Sequence, residues 1–337
     1  MNEKSNTKLM PVVINQHLAN VYPSLAMMAG MQLEVFTAIG EESKDLDSIA
    51  GILEVRSAKL RPLLYALVTA GLLIVDGNNF ENNQEAKEFL IKGKPRYIGG
   101  MHSAYSDLWA STMHTAESIR TGHPQAEHDF GNMSQDELRA FIRGLDAGAS
   151  ATARRLQKEF DMGRFENILD AGGGSGGVAI ALSRLCPNVK LTVADLSNVT
   201  PVTRECVQEA NLSEQISVED CDLINQKVQG TYDAIIMRSV LQVLGPAQAE
   251  AALSNAASGL RLNGELYMVG RVLDDSRLTP IDSVAVNVMF LNVYQEGQAY
   301  TESEYNNFFI SAGLEKVSRT LLSGGYSIIR GTKINET

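Results

Sequence analysis

Hydrophobic and polar positions follow two different periods along this chain, and the change of period divides it. Over residues 23–39, Leu25, Met28, Ala29, Leu33, Phe36 and Ala38 recur at helical spacing, and Gly40 stands where such a helix would end. Residues 46–52 and 58–70 read as two more helices. They lead into a short strand at 72–75 that passes through Asp76-Gly77-Asn78-Asn79 to Phe80. Two short helices followed by a D-G turn between short strands have the outline of a winged helix-turn-helix. Helical periodicity continues over 99–120 and 135–160, on either side of a polar, glycine-bearing loop at 121–132.

From Arg164 onward the pattern alternates. Strands are expected at 167–169, 191–194, 216–219, 232–237, 265–269, 314–319 and 327–332. Helices fill the intervals at 177–186, 201–210, 246–259 and 302–312, with a longer helical insert at 281–294. Alternating strands and helices predict a Rossmann-like, doubly wound and mostly parallel sheet, with its ligand at the carboxyl ends of the strands. The last two strands, joined through Gly324-Gly325, would form an antiparallel edge. Three parts follow: an N-terminal helical, winged-helix domain (1–98), a helical bridge (99–160) and an α/β domain (161–337).

The chemistry concentrates at Ile168-Leu169-Asp170-Ala171-Gly172-Gly173-Gly174-Ser175-Gly176-Gly177 and at LTVADL, residues 191–196. These segments read as a buried strand, a glycine turn opening a helix, and a second strand ending in an acid. Glycines let the backbone approach a ligand, the helix N-terminus offers unpaired N–H groups, and the second acid suits a ribose diol. Gly172, Gly174 and Gly177 match a dinucleotide fingerprint, whereas Asp170, Gly172, Gly174 and Gly176 match the motif of S-adenosylmethionine (SAM) methyltransferases. Asp170 decides between them, because a carboxylate there repels a diphosphate and favours a sulfonium and an ammonium.

Composition narrows the partners. A net charge of −11 argues against binding nucleic acid through phosphate neutralisation. The candidate recognition helix, SAKLRPLLYALVTAGLL, is almost wholly apolar after its start and suits packing or dimerisation rather than a DNA groove. Cys186, Cys206 and Cys221 have no metal-ligand spacing, and their odd number suits reduced thiols. The longest apolar run, 65–75, is too short to span a bilayer, and the start MNEKSNTK does not read as a signal peptide. A soluble cytoplasmic protein without a metal is expected.

With DAGGGSGG (170–177), VADL (193–196), LNGELYMVGRVL (262–273) and AYTESEYNNFFISAGLEKV (299–317) in place, the chain resembles the class I SAM-dependent O-methyltransferases that act on small molecules. That family includes bacterial hydroxyneurosporene- and phenazine-type enzymes and plant caffeate-type enzymes. The resemblance implies a homodimer with interlocked N-terminal domains and a substrate pocket roofed by the N-terminal half. It implies that Gly172 and Gly174 approach the methionine moiety of SAM, and that Asp170 favours its positive charge. It also puts Asp195 on the ribose hydroxyls, Leu196 on the adenine, Asp222 near the adenine amine, Leu223 on the ring and Arg238 on the cofactor.

One departure bears on mechanism. Plant-type relatives carry a histidine base after the fourth strand, flanked by two acids further along the chain. Here Gln242 takes the histidine's place, and Gly270 and Ala299 replace the acids. An amide has no useful basicity at neutral pH. Methyl transfer is a displacement on an already activated carbon, so alignment of the nucleophile at about 3 Å does much of the work. Gln242 either orients the acceptor or only bonds neighbouring backbone.

The resemblance implies that the bridging helix roofs the substrate, where His102, Tyr105, Trp109 and Met113 share a helical stripe, so that Trp109 and Met113 are candidates for substrate contact and His102 for a replacement base; the same stripe reads more readily as core packing. His123 and His128 lie in the polar loop and read as solvated. The resemblance implies that the insert 281–294 lines the acceptor pocket; there Asn287, Phe290, Leu291 and Tyr294 fall on one helical face, which suits a flat, largely apolar acceptor of aromatic or polyketide-like type. Two other functions stay open: a non-methylating step on the same fold (pericyclic, decarboxylative or hydroxylating), and a ligand-sensing winged-helix regulator. Methylation of carbon or nitrogen is an alternative to oxygen.

Overall fold

The computed structural model describes residues 9–144 and 148–334, and the chain forms two compact units, one ending at Ser103 and one beginning at Ala104. The first unit contains α1 (Val12–Gln32), α2 (Val35–Ile39), β1 (Lys44–Asp45), α3 (Leu46–Ile52), α4 (Ser57–Thr69), β2 (Leu73–Asp76), β3 (Asn79–Asn82) and α5 (Gln84–Phe89). Its three strands pair in the order β1-β3-β2, so a small sheet closes on two helices as a wing. Asp45 caps α3 by accepting from the backbone N–H groups of Asp47 and Ser48. Phe36, Ile39, Leu46, Ile49, Leu64, Leu67 and Phe80 form the buried core.

The single helix expected at 23–39 is two helices. Glu34 takes a left-handed φ of 56°, which breaks the helix and turns Val35, Phe36 and Ile39 into the core. Leu25 and Leu33, counted on one apolar face, are exposed, while α1 buries Ala26, Met28 and Gly30. Gly30 packs closely there: a Cβ would sit 3.1 Å from the ring of Phe36 and 3.2 Å from Leu67, so those side chains would have to shift by a few tenths of an ångström.

The second unit opens with α6 (His102–Thr112, which starts at the unit boundary), α7 (Thr115–Thr121), α8 (Gln135–Gly144) and α9 (Ala149–Phe160). The α/β body then runs β4 (Asn167–Ala171), α10 (Gly177–Leu185), β5 (Lys190–Asp195), α11 (Thr200–Glu209), β6 (Ile216–Asp220), β7 (Tyr232–Arg238) and α12 (Pro246–Ala257). It ends with β8 (Leu260–Leu273), α13 (Ile281–Val293), β9 (Tyr300–Thr301), α14 (Glu302–Ser311), β10 (Leu314–Leu321) and β11 (Tyr326–Lys333). Strand order is β10-β11-β8-β7-β4-β5-β6, with β9 beside the far end of β8. The strands from β4 to β8 are mutually parallel, and β11 and β10 add an antiparallel edge.

Apolar runs in β4 and β7 are buried on both sheet faces, as a doubly wound sheet requires. Thr301 and Glu304 form a reciprocal capping box that starts α14. β4 lies between β5 and β7, so the chain reverses its direction of winding there and opens a crevice at the carboxyl end of β4. β8 is 14 residues long and runs well past the expected end at Val269, which puts Gly270 and Arg271 inside the strand.

Candidate cofactor and acceptor site

The crevice begins with the glycine turn after β4. Gly172 has a φ of +69° and Gly174 a φ of +58°, conformations that L side chains rarely adopt. A Cβ on Gly172 would lie 2.4 Å from Val240, so a side chain there would fill the crevice mouth. Asp170, at the end of β4, is fully buried. Its Oδ2 accepts from the Ala179 N–H at 3.3 Å, and its Oδ1 has no partner among the described residues. Burial raises its pKa to about 7; the Ala179 N–H and Arg238 oppose that rise, and Asp195 adds to it.

Asp195 ends β5. Its Oδ2 accepts from Gly174 N–H at 2.7 Å and its Oδ1 from Leu196 N–H at 2.8 Å. Each oxygen keeps a lone pair, so the carboxylate can still accept from a vicinal diol. Asp222 accepts from the Ile224 N–H and from Asn225 Nδ2, which stiffens its loop. Arg238, at the end of β7, donates through Nε to Thr152 at 3.2 Å. Asp170, Gly172, Gly174, Asp195, Leu196, Asp222, Leu223 and Arg238 all line one cavity of about 540 Å³.

The rest of that cavity is largely apolar. Trp109 lines it with Tyr105, their rings edge to face at 6.2 Å, and Phe290 of α13 and Tyr294 just past that helix line it too. Four expected residues are placed elsewhere. Met113 lies past the end of α6 and is 85% exposed, because the helical stripe stops at Thr112. His102 sits in the first turn of α6, and the lining residues begin only at Tyr105. Leu291 is 46% exposed, and Asn287 instead accepts from the Ala299 N–H at 2.7 Å, tying the insert to the following loop. The face of α13 that lines the cavity carries Val286, Met289 and Phe290, one position out of phase with the expected set. This helix is apolar nearly all round, so periodicity gave its spacing but not its phase.

His128 is a further correction. It is buried rather than solvated, Nε2 lies 2.7 Å from Asp107 Oδ2, and the ring packs edge-on against Phe141 at 4.9 Å. Phe141 lines the cavity, so this pair braces the wall from behind.

Gln242 does line the cavity, and its orientation is set. Its Oε1 accepts from the Arg271 backbone N–H at 3.0 Å, which only the oxygen end of the amide can do. The NH2 end is therefore what this side chain offers to a ligand. A Cβ on Gly270 would lie 3.0 Å from that oxygen, so glycine there leaves the anchored amide its room. Arg271 and Tyr326 also line the cavity and were missed in the sequence. A lone cation inside the apolar run MVGRVL was the available signal for Arg271. Among the described residues, no group of three His, Cys, Asp or Glu side chains is placed to hold a metal ion.

Comparison with known proteins agrees with this architecture. A profile of the O-methyltransferase domain matches residues 113–315. The tetracenomycin polyketide synthesis 8-O-methyl transferase TcmO of Streptomyces glaucescens is 26% identical over 318 residues, covering 93% of this chain and 94% of that protein. Acetylserotonin O-methyltransferase of Gallus gallus is 25% identical over 340 residues, covering 96% of this chain and 97% of its own length. The crystal structure of human N-acetylserotonin methyltransferase in complex with SAM superposes with a TM-score of 0.83 at 22% identity, covering 99% of this chain and 100% of that one. With its glycine turn, its sheet order and this profile match over most of its length, the chain belongs to the O-methyltransferase domain family.

Proposed function

We propose that this protein is a SAM-dependent methyltransferase that methylates an oxygen of a small aromatic or polyketide-like metabolite. The observation that carries the reading is the buried Asp170 carboxyl, its Oδ1 unpartnered, beside a glycine turn held to Asp195. Such a site suits a ligand with a positive charge and a diol, and a diphosphate would meet a carboxylate instead of a donor. Asp195 would hold the ribose hydroxyls, Asp222 the adenine amine, Leu196 and Leu223 the faces of the base, and Arg238 the ligand's carboxylate. Bound there, SAM supplies a methyl group already activated by its sulfonium.

The protein's own task is alignment. Trp109, Met289, Phe290 and Tyr294 offer flat apolar walls that exclude water, and the Gln242 NH2 donates to a lone pair of the acceptor. No side chain in the histidine's place takes a proton, so the acceptor oxygen is one acidic enough to react without a base. The absence of that base also favours a second reading, a non-methylating reaction on the same cofactor site. Calorimetry with S-adenosylhomocysteine (SAH) and NAD, followed by methyl-labelled SAM with a panel of phenols, tests both. SAH uptake and labelled ether support methylation, and SAH uptake without label supports the second reading. NAD uptake with indifference to SAH removes both.

The N-terminal unit is assigned a homodimer contact. Leu18, Tyr22 and Leu25 are exposed along one face of α1, an apolar stripe that the unit itself does not cover. Light scattering of a Leu18→Glu, Tyr22→Glu variant would give the monomer mass. The cysteines Cys186, Cys206 and Cys221 are buried thiols, in keeping with work in the cytoplasm, and no described helix is long and apolar enough to cross a membrane.

A further inference from the structure

We infer that Arg271 determines acceptor specificity: the acceptor enters as an oxyanion, and Arg271 holds its negative charge. This rests on the acceptor site proposed above. Arg271 is 9% exposed and lines the cavity, yet among the described residues no carboxylate pairs with it. Arg319 shows how this fold treats a guanidinium as deeply buried. It is paired with Asp274 at 2.6 Å and Glu302 at 2.9 Å. At the cofactor end, Arg238 has Asp170 within electrostatic reach. Unlike Arg319, Arg271 has no carboxylate at ion-pair distance among the described residues, and burying a charge without a partner is unfavourable unless a ligand completes the pair.

The geometry leaves the charge available to a ligand. One arm, Nη1, donates to the Gly324 carbonyl, and the guanidinium lies 4.4 Å from the centre of the Tyr326 ring. These contacts hold the group in place and use few of its five donors. The Arg271 backbone N–H simultaneously anchors the Gln242 oxygen, so the amide NH2 and the guanidinium belong to one tied assembly that offers donors and no acceptor. Trp109, Phe290 and Tyr294 line the same cavity with low-dielectric walls, which strengthen a charge-assisted hydrogen bond. A matching ligand group has lone pairs, negative charge and a planar apolar body. An ionised acidic hydroxyl and a ring carboxylate share that chemistry. A hydroxyl that arrives ionised has already given its proton to solvent, which suits a site where Gln242 stands in place of a base.

The test is calorimetry on the full chain saturated with SAH, using matched probes. 1-Hydroxy-2-naphthoate against 1-hydroxy-2-naphthamide tests the carboxylate, and 2,4-dinitro-1-naphtholate against its methyl ether tests the ionised hydroxyl. At least one anion is expected to bind about tenfold tighter than its neutral twin, as a charge-assisted hydrogen bond in a dry site allows. Which pair shows the preference names the group. Arg271→Met abolishes it while SAH affinity is retained. Arg271→Gln, which keeps a donor for the Gly324 carbonyl, abolishes it too and guards against misfolding of the first variant. A purely structural Arg271 would weaken all four probes alike. Equal binding of anion and neutral twin, binding of none, or a preference that survives both substitutions overturns the inference. Failure of the wild type to take up SAH sinks the methyltransferase reading instead, and the probe titrations are then judged by the same criteria without SAH.

Discussion

The two ends of the cavity are built differently. The end proposed above for the cofactor is made of consecutive residues at strand tips: Asp170 with its glycine turn, Asp195 with Leu196, Asp222 with Leu223. Three of its charged groups are carboxyls held mainly by backbone N–H groups, and the fourth is Arg238, tied to Thr152. The end proposed for the acceptor gathers single side chains from α6, α13, β8 and the loop after β7, and its charge is the guanidinium of Arg271. One end is a loop conformation that carries its ligand groups with it. The other exists only where distant elements meet, so it can change its chemistry residue by residue while the first stays constant.

Substitutions that separate the ends test this contrast. Asp195→Ala should have the largest effect, weakening SAH binding about a hundredfold by calorimetry, since it removes charge-assisted bonds to a diol. Binding of a naphthol probe should be unaffected, and equal losses at both ends would erase the distinction. The next effect is one of pH. Burial raises the Asp170 pKa to about 7, so the empty site holds it largely neutral below that value. A cationic ligand prefers the ionised form, so SAM affinity should rise about tenfold per pH unit below about 7 and level off above it. For the ligand-free fold the sign is opposite. A carboxyl raised from 3.8 to about 7 on folding stabilises in its protonated form, and that contribution is lost as pH rises between those values. Asp170→Asn should flatten both profiles, in titration and in thermal melts, and a binding profile that keeps its slope would remove Asp170 from the cofactor site.

Gln242→Ala should lower kcat/KM about tenfold, the value of one oriented hydrogen bond, and leave SAH affinity alone. Loss of SAH binding instead would place Gln242 at the cofactor end. Smallest of all, Met113→Ala and Leu291→Ala should leave the acceptor KM unchanged, because both side chains point to solvent. A raised KM in either would restore the helical stripes read from the sequence.

Residue order alone determined the alternating α/β body, the wing, the glycine turn and the acids at the strand tips. Each of these depends on neighbours within a few positions, where backbone conformation and periodicity act directly. Tertiary structure decided the rest. It set the phase of α13, buried His128 against Phe141, broke the first helix at Glu34, and extended β8 to carry Arg271 into the cavity. It also turned the Gln242 amide, through a bond to a backbone N–H 29 residues away. Those outcomes hang on which groups are left unpaired when separate elements pack together, and a buried polar atom finds its partner by proximity in space, which no local pattern encodes.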